Sequence, residues 1–282
     1  MRKNYVVTTT IQAMLDAIPE DEEATLFIPE GVYDERIESR HKDLVVEGEG
    51  MATVIVGCAG AFEMMPDGMK RGTFRTATAY FEGERLALRN LVIRNDAGDG
   101  RKVGQAIALY LDVRNATLSH MGLYGHQDTL FLAPLPDKER EKNGFVGPGL
   151  NKPRLESVVA IGDSEISGDA DFIFGGADAT FSHCRLISLV RPGCVSAPSG
   201  KKDGLGFVFD HCDFLGDGCP EGSTFLMRPW RPEGKSTFIS CRYGKHINKR
   251  KGCPCNGREA EGFHIEEEGC SWIDGSVDRK DF

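Results

Sequence analysis

The sequence contains no run approaching the roughly 18 apolar residues needed to cross a membrane. It has no basic excess either: 34 Lys and Arg face 43 Asp and Glu, giving a formal net charge of −9. A broad nucleic-acid footprint is therefore excluded. An acidic polymer could be held only through local basic groups. The amino terminus, Met1-Arg2-Lys3-Asn4-Tyr5-Val6-Val7, lacks the apolar stretch of a secretion signal. A cytoplasmic location is expected on that basis. The nine cysteines are odd in number and irregularly spaced, which argues against a disulfide framework. Free thiols serving as small apolar residues are expected instead.

Helical periodicity is nearly absent. Thr10 precedes Ile11, Met14, Leu15 and Ile18, the spacing of a short amphipathic helix with a threonine cap. Pro19 ends it. Beyond that point, short runs rich in Val, Ile, Phe and Thr alternate with Gly, Asn and Asp, as strands and turns do.

These runs repeat. Leu88-Arg-Asn-Leu91-Val-Ile93 matches Leu118-Ser-His-Met121-Gly-Leu123 and Ile161-Gly-Asp-Ser164-Glu-Ile166. Phe181-Ser-His-Cys184-Arg-Leu186, Phe209-Asp-His-Cys212-Asp-Phe214 and Phe238-Ile-Ser-Cys241-Arg-Tyr243 continue the series. Positions 1, 4 and 6 are mostly apolar or small. The copies start 30, 43, 20, 28 and 29 residues apart. Units this short cannot bury their own apolar face and must stack as a solenoid. With no intervening helices, a parallel β-helix is predicted, capped by the amino-terminal helix and occupying residues 1–282 as one domain. Cys184, Cys212 and Cys241 share one repeat position and should form an interior ladder. The 43-residue interval, with its Gly, Pro and charge, should be an excursion that lines a groove.

Two acidic segments fall into the same register. Asp128 in "GHQDTLF" follows Leu123 by five residues, and Asp171 in "GDADFIFG" follows Ile166 by five. Equal offsets on consecutive coils stack the two carboxyl groups about 4.8 Å apart. Carboxyl groups that close favour sharing one proton, which makes an acid beside a carboxylate. Each precedes an apolar run, so both are expected on strands and half-buried. A buried carboxylate needs a cation nearby. Arg228 in "LMRPW" is the candidate, with Trp230 as a rigid aromatic wall.

With "GQAIAL" at 104–109, these segments resemble, in order, the motif set of the pectin methylesterase (pectinesterase) family. "TIQAMLDAIP", "IPEGVYDERI", "GTFRTATAYFEG" and "IRNDAG" also resemble family segments, so the likeness runs from Thr10 to about Ile247. It implies a right-handed parallel β-helix and a monomeric carboxyl-ester hydrolase without cofactor or metal. The implied substrate is methyl-esterified homogalacturonan or oligogalacturonide, with no nucleic-acid or membrane partner. By the family pattern Asp171 would be the nucleophile and Asp128 the general acid and base. Gln127, with Gln105, would donate to the oxyanion. Arg228 would orient Asp171. Trp230, Thr73, His126 and Phe174 would contact substrate. Departures from the pattern include His126 in place of an aromatic residue and Met227 in place of a glycine. Met227 is expected to crowd its subsite.

Three other readings remain open at this level. One is a different pectin-active β-helix enzyme, a lyase or a glycosidase. Another is a non-enzymatic carbohydrate-binding solenoid. The third is a zinc site from Cys253, Cys255 and Cys270 with His246 and His264, although Cys-Pro-Cys is not a usual ligand spacing.

Overall fold

The structure, a computed structural model, describes residues 1–190, 193–254 and 263–273. The chain winds as a parallel β-helix whose coils present three strand faces. The predicted repeat is its first face. Tyr5, Leu26, Val46, Leu88, Leu118, Ile161, Phe181, Phe209 and Phe238 lie in one parallel register, coil upon coil. Position 6 begins the second face, where Ile55, Ile93, Leu123, Ile166, Leu186, Phe214 and Tyr243 align. A third face aligns Ile37, Ala79, Leu109, Leu130, Ile173, Ser196 and Met227. Inward side chains from all three faces fill one continuous core.

The turn between the first two faces explains repeat positions 3 and 4. Asn90, His120, Asp163, His183, His211 and Ser240 all adopt left-handed backbone, with φ between 49° and 56°. Asn, Asp and His tolerate that region better than most residues. The left-handed residue turns the chain sharply and points its successor inward. Those successors are Leu91, Met121, Ser164, Cys184, Cys212 and Cys241. The last three are buried free thiols, and each donates to a main-chain carbonyl of the preceding coil at 3.3–3.5 Å. Among the described residues no two cysteines form a disulfide.

The amino-terminal coil is closed by the predicted helix, Ile11–Ala17. Thr10 caps it, its hydroxyl accepting from the Ala13 amide at 3.1 Å. Glu35 accepts from the Ile11 and Gln12 amides at 2.9 and 3.1 Å. Together they satisfy donors that a helix start leaves unpaired. A second helix of a single turn, Gly100–Val103, was not expected; Asp99 caps it through the Arg101 amide.

Phenylalanines dominate the carboxy-terminal half of the core. Phe209 stacks between Phe181 and Phe238, with ring centroids 4.7 and 5.1 Å away. Replacing Phe209 with Ala removes the middle ring of that stack and leaves a cavity. Guanidinium denaturation should show about 3–5 kcal/mol of lost stability; a loss under about 1 kcal/mol would mean that neighbouring coils do not pack as a unit.

Candidate active site

The third face has a second, outward-pointing row in register: Tyr80, Tyr110, Phe131, Phe174 and Ala197. These residues are buried because the long excursion between Leu132 and Val158 folds over them. Leu135 and Phe145 from the excursion join the row in a separate apolar cluster, with Phe74 from the short 3-10 turn Thr73–Arg75. The expectation of a groove-lining excursion thus holds. A cleft of about 290 Å³ opens at the edge of this cluster.

The two acidic segments meet in this cleft. Gln127 bridges to Ala170 in parallel, and the Asp128 amide donates to the Ala170 carbonyl at 3.0 Å. Asp128 therefore lies opposite Asp171 on the next coil. Both are buried, 8% and 6% exposed. One expectation needs correction: neither sits on a strand. Both have left-handed backbone, φ 65° and 50°, in the turns just before strands Leu130–Leu132 and Ile173–Gly175. Such backbone costs a non-glycine residue about 1–2 kcal/mol, and residues in this state cluster at functional sites. Tertiary contacts hold the turns. Thr129 donates its hydroxyl to the Ser167 carbonyl at 2.9 Å. Gly168 lets the turns approach, since a Cβ there would lie 2.2 Å from the Phe172 Cβ and 2.6 Å from the His126 carbonyl oxygen.

Arg228 arrives from two coils further on. Its Nε donates to Asp171 Oδ1 and Oδ2 at 2.7 and 2.9 Å, and its terminal nitrogen also donates to Oδ2. This multiple, charge-assisted contact fixes the carboxylate plane. Among the described residues of the coil between, Ala197 lines the cleft, and its small side chain leaves space for the guanidinium. Trp230 packs over the aromatic row, stacked on Phe74 with centroids 6.3 Å apart and edge-on to Phe174 at 5.7 Å. Part of the indole stays accessible, as a platform for a ring.

Thr73, Gln105, Gln127, Asp128, Asp171, Phe174, Arg228 and Trp230 all line this one cleft. The two glutamines offer neutral donors at its polar end. His126 is not among the lining residues. Its Nδ1 lies 3.0 Å from Oδ2 of the buried Asp169 instead. The expected crowding by Met227 is also absent, because that side chain is fully buried. Residues not anticipated in the wall are Phe74, Arg140, Glu141, Phe145 and Arg231. Arg140 and Glu141 come from the run Lys138-Glu-Arg-Glu-Lys142, which reads as a solvated loop. Arg231 stacks on Trp230, its guanidinium carbon 5.0 Å from the ring centroid. Its position immediately after "RPW" was the available signal.

The zinc alternative finds no support in geometry. Among the described residues no group of three or more potential ligands gathers, and Cys255 lies outside them. His246 is buried, and desolvation pushes its imidazole down to about 4.

Comparison with known proteins agrees with this geometry. The family model for pectinesterase matches residues 3–135. The chain is 29% identical to pectinesterase A of Dickeya chrysanthemi, over 77% of this chain and 60% of that protein. The chain is a relative of the pectinesterases. To the pectinesterase of Petunia integrifolia it is 26% identical, over 88% of this chain and 62% of that protein. It thus spans about 60% of the length of both curated relatives. The solved pectin methylesterase PemA from Erwinia chrysanthemi superposes with a TM-score of 0.77 at 23% identity, covering 98% of this chain and 91% of that one. That likeness shows the fold, the right-handed parallel β-helix.

The His126–Asp169 pair should make the stability of the fold depend on pH. The hydrogen bond to Asp169 raises the His126 imidazole above the usual value, partly opposed by burial and reinforced by the charges of Asp169, Asp99 and Asp96. A raised folded-state value means that the pair's stabilisation is fully present below the unfolded value of about 6.5 and is lost as pH rises through the folded value. The melting temperature of the wild type should therefore exceed that of His126→Gln most at about pH 6 and least at about pH 9. A gap independent of pH would show that the pair contributes packing and no charge.

Proposed function

We propose that the chain hydrolyses methyl esters of galacturonate units in pectin or oligogalacturonides, releasing methanol. The observation that carries this reading is one arrangement: Asp171 gripped by Arg228, stacked in register on Asp128, beside Gln127 and Gln105 in a single cleft. Ester hydrolysis needs a nucleophile, a proton donor and an oxyanion partner, and each has a residue suited to it.

In this reading the Asp171 carboxylate attacks the carbonyl carbon of the methyl ester. Arg228 holds the attacking oxygens in place. The carbonyl oxygen becomes an oxyanion, and the Gln127 and Gln105 amides donate to it without adding charge. The tetrahedral intermediate collapses, the carbon–oxygen bond to methanol breaks, and Asp128 supplies the proton that methanol carries away. An acyl-enzyme anhydride remains on Asp171. Asp128, now ionised, removes a proton from water, and the resulting hydroxide attacks the acyl carbon. The product leaves as the galacturonic acid and gives its proton to solvent, with the Asp171 carboxylate restored and Asp128 reprotonated.

Trp230 serves as the stacking platform for a sugar ring, and Phe174 and Thr73 complete the wall beside the reacting ester. His126 influences substrate only indirectly, through the turn that presents Gln127.

Methanol release from methylated oligogalacturonides without chain shortening is the expected result. Shortened products with unsaturated ends would indicate a lyase, and shortened saturated products a glycosidase. Removing the oxyanion donor with Gln127→Ala should lower kcat about 10²–10³-fold with little change in KM. A kcat within about twofold of wild type would remove Gln127 from the oxyanion role.

A further inference from the structure

We propose that His126 is a positioning residue: with Asp169 it clamps the turn that carries Gln127 and Asp128 onto the turn that carries Asp171, and its charge sets how firmly. The inference rests on the esterase reading and adds a supporting residue to that site. His126 precedes Asp128 by two residues, and Asp169 precedes Asp171 by two. Equal offsets on consecutive coils place His126 opposite Asp169, as they place Asp128 opposite Asp171. The facing pair is joined at two points. The Asp169 amide donates to the His126 carbonyl at 3.0 Å. The His126 Nδ1 lies 3.0 Å from Asp169 Oδ2 and, as donor to a carboxylate, carries a proton. One step nearer the cleft, the Asp128 amide donates to the Ala170 carbonyl at 3.0 Å. The side-chain bond thus reinforces the main-chain contacts that set the two aspartates against each other. A phenyl ring at position 126 would have no such bond to give.

The clamp is anchored at one end and open to protons at the other. The Asp169 side chain is 3% exposed and the His126 side chain 36%. Asp96 and Asp99, from the preceding coil, add negative charge near the ring. Arg94 and Arg101 pair with them. Two coils beyond Asp169, the Cys219 thiol lies within reach of its charge. The hydrogen bond to Asp169 raises the imidazole above its usual value of about 6.5, against the effect of burial. A charged ring adds an ion pair to the hydrogen bond. That share of the clamp is complete below about pH 6.5 and is lost as pH rises through the folded value. Gln127 and Asp128 act in the chemical step of the esterase reading, so a loosened turn lowers kcat and leaves KM nearly unchanged. Displacements of an ångström or less are enough for that.

The test follows methanol release from fully methylated hexagalacturonate at pH 6 and pH 8.5, against an enzyme-free control. Wild type, His126→Ala and His126→Asn are compared, each with a melting temperature above that of the assay. His126→Ala should lower kcat about tenfold at pH 6, with KM within about twofold. The ratio of wild-type to alanine kcat should shrink to about threefold at pH 8.5, because titrations common to both proteins cancel in it. The asparagine side-chain nitrogen stands two bonds from Cβ, as Nδ1 does, and does not titrate. His126→Asn should therefore recover part of the loss, with a ratio to His126→Ala that is the same at both pH values. In parallel, hydrogen exchange at the Asp128 and Asp169 amides should be about fivefold faster in His126→Ala than in wild type at pH 6, with the Phe209 coil unchanged. A kcat within about twofold of wild type at pH 6 would overturn the clamp, as would a change mainly in KM. A wild-type to alanine ratio independent of pH, or equal exchange in the two proteins, would also overturn it. If the wild type releases no methanol, the esterase reading fails, while the exchange rates still decide the clamp.

Discussion

Parallel register is the constraint on which the rest of this structure depends. Each coil hydrogen-bonds to the next residue for residue, so a side chain's place on one coil fixes its neighbours about 4.8 Å above and below. A slip of one residue would turn every inward side chain out. The aromatic ladder from Phe181 to Phe238, the cysteine row and the stacked aspartates are one consequence of that rule seen at three positions. The site requires no independent folding event. Once Leu130 pairs with Ile173, Asp128 is brought opposite Asp171.

What the register cannot do alone is aim the carboxylates. Two left-handed turns do that, at a local cost. The cost is offset by contacts from several directions: the Thr129 hydroxyl on Ser167, the close approach allowed by Gly168, and above all the Arg228 guanidinium on Asp171. The excursion between Leu132 and Val158 supplies the remaining part. By covering the outward aromatic row it converts an open sheet face into a second apolar cluster with one accessible edge. Trp230, Asp128, Asp171 and Arg228 lie along that edge. Aromatic packing and polar groups are thus on the same few coils, the aspartates about three residues before the aromatic row.

Much of this was legible in the chain because repeats encode register directly. Matching Leu88 with Leu118 and Ile161 with Phe181 was enough to predict the stacked repeat, the cysteine row and the pairing of Asp128 with Asp171. The helix start at Thr10 was legible from capping chemistry. Failures came where alternation breaks. A left-handed residue resets which side the next side chain faces, so Asp128 and Asp171 read as strand residues. His126 read as a substrate contact from the family pattern alone, although its ring lies against Asp169. Met227 could not be placed because inward and outward positions differ by one residue. Arg140 and Phe145 lay beyond sequence reasoning altogether. Their place in the cleft wall follows from how a long loop packs back over distant strands, which no local pattern records.

The central claim is that register delivers a working nucleophile at Asp171. Its most direct test is methanol release from methylated oligogalacturonide by Asp171→Asn, in protein whose circular dichroism and melting temperature show an intact β-helix. The account predicts a fall in kcat of more than about 10³-fold, because the amide cannot form the acyl intermediate. Turnover within about threefold of wild type would contradict it and move the chemistry away from the stacked aspartates.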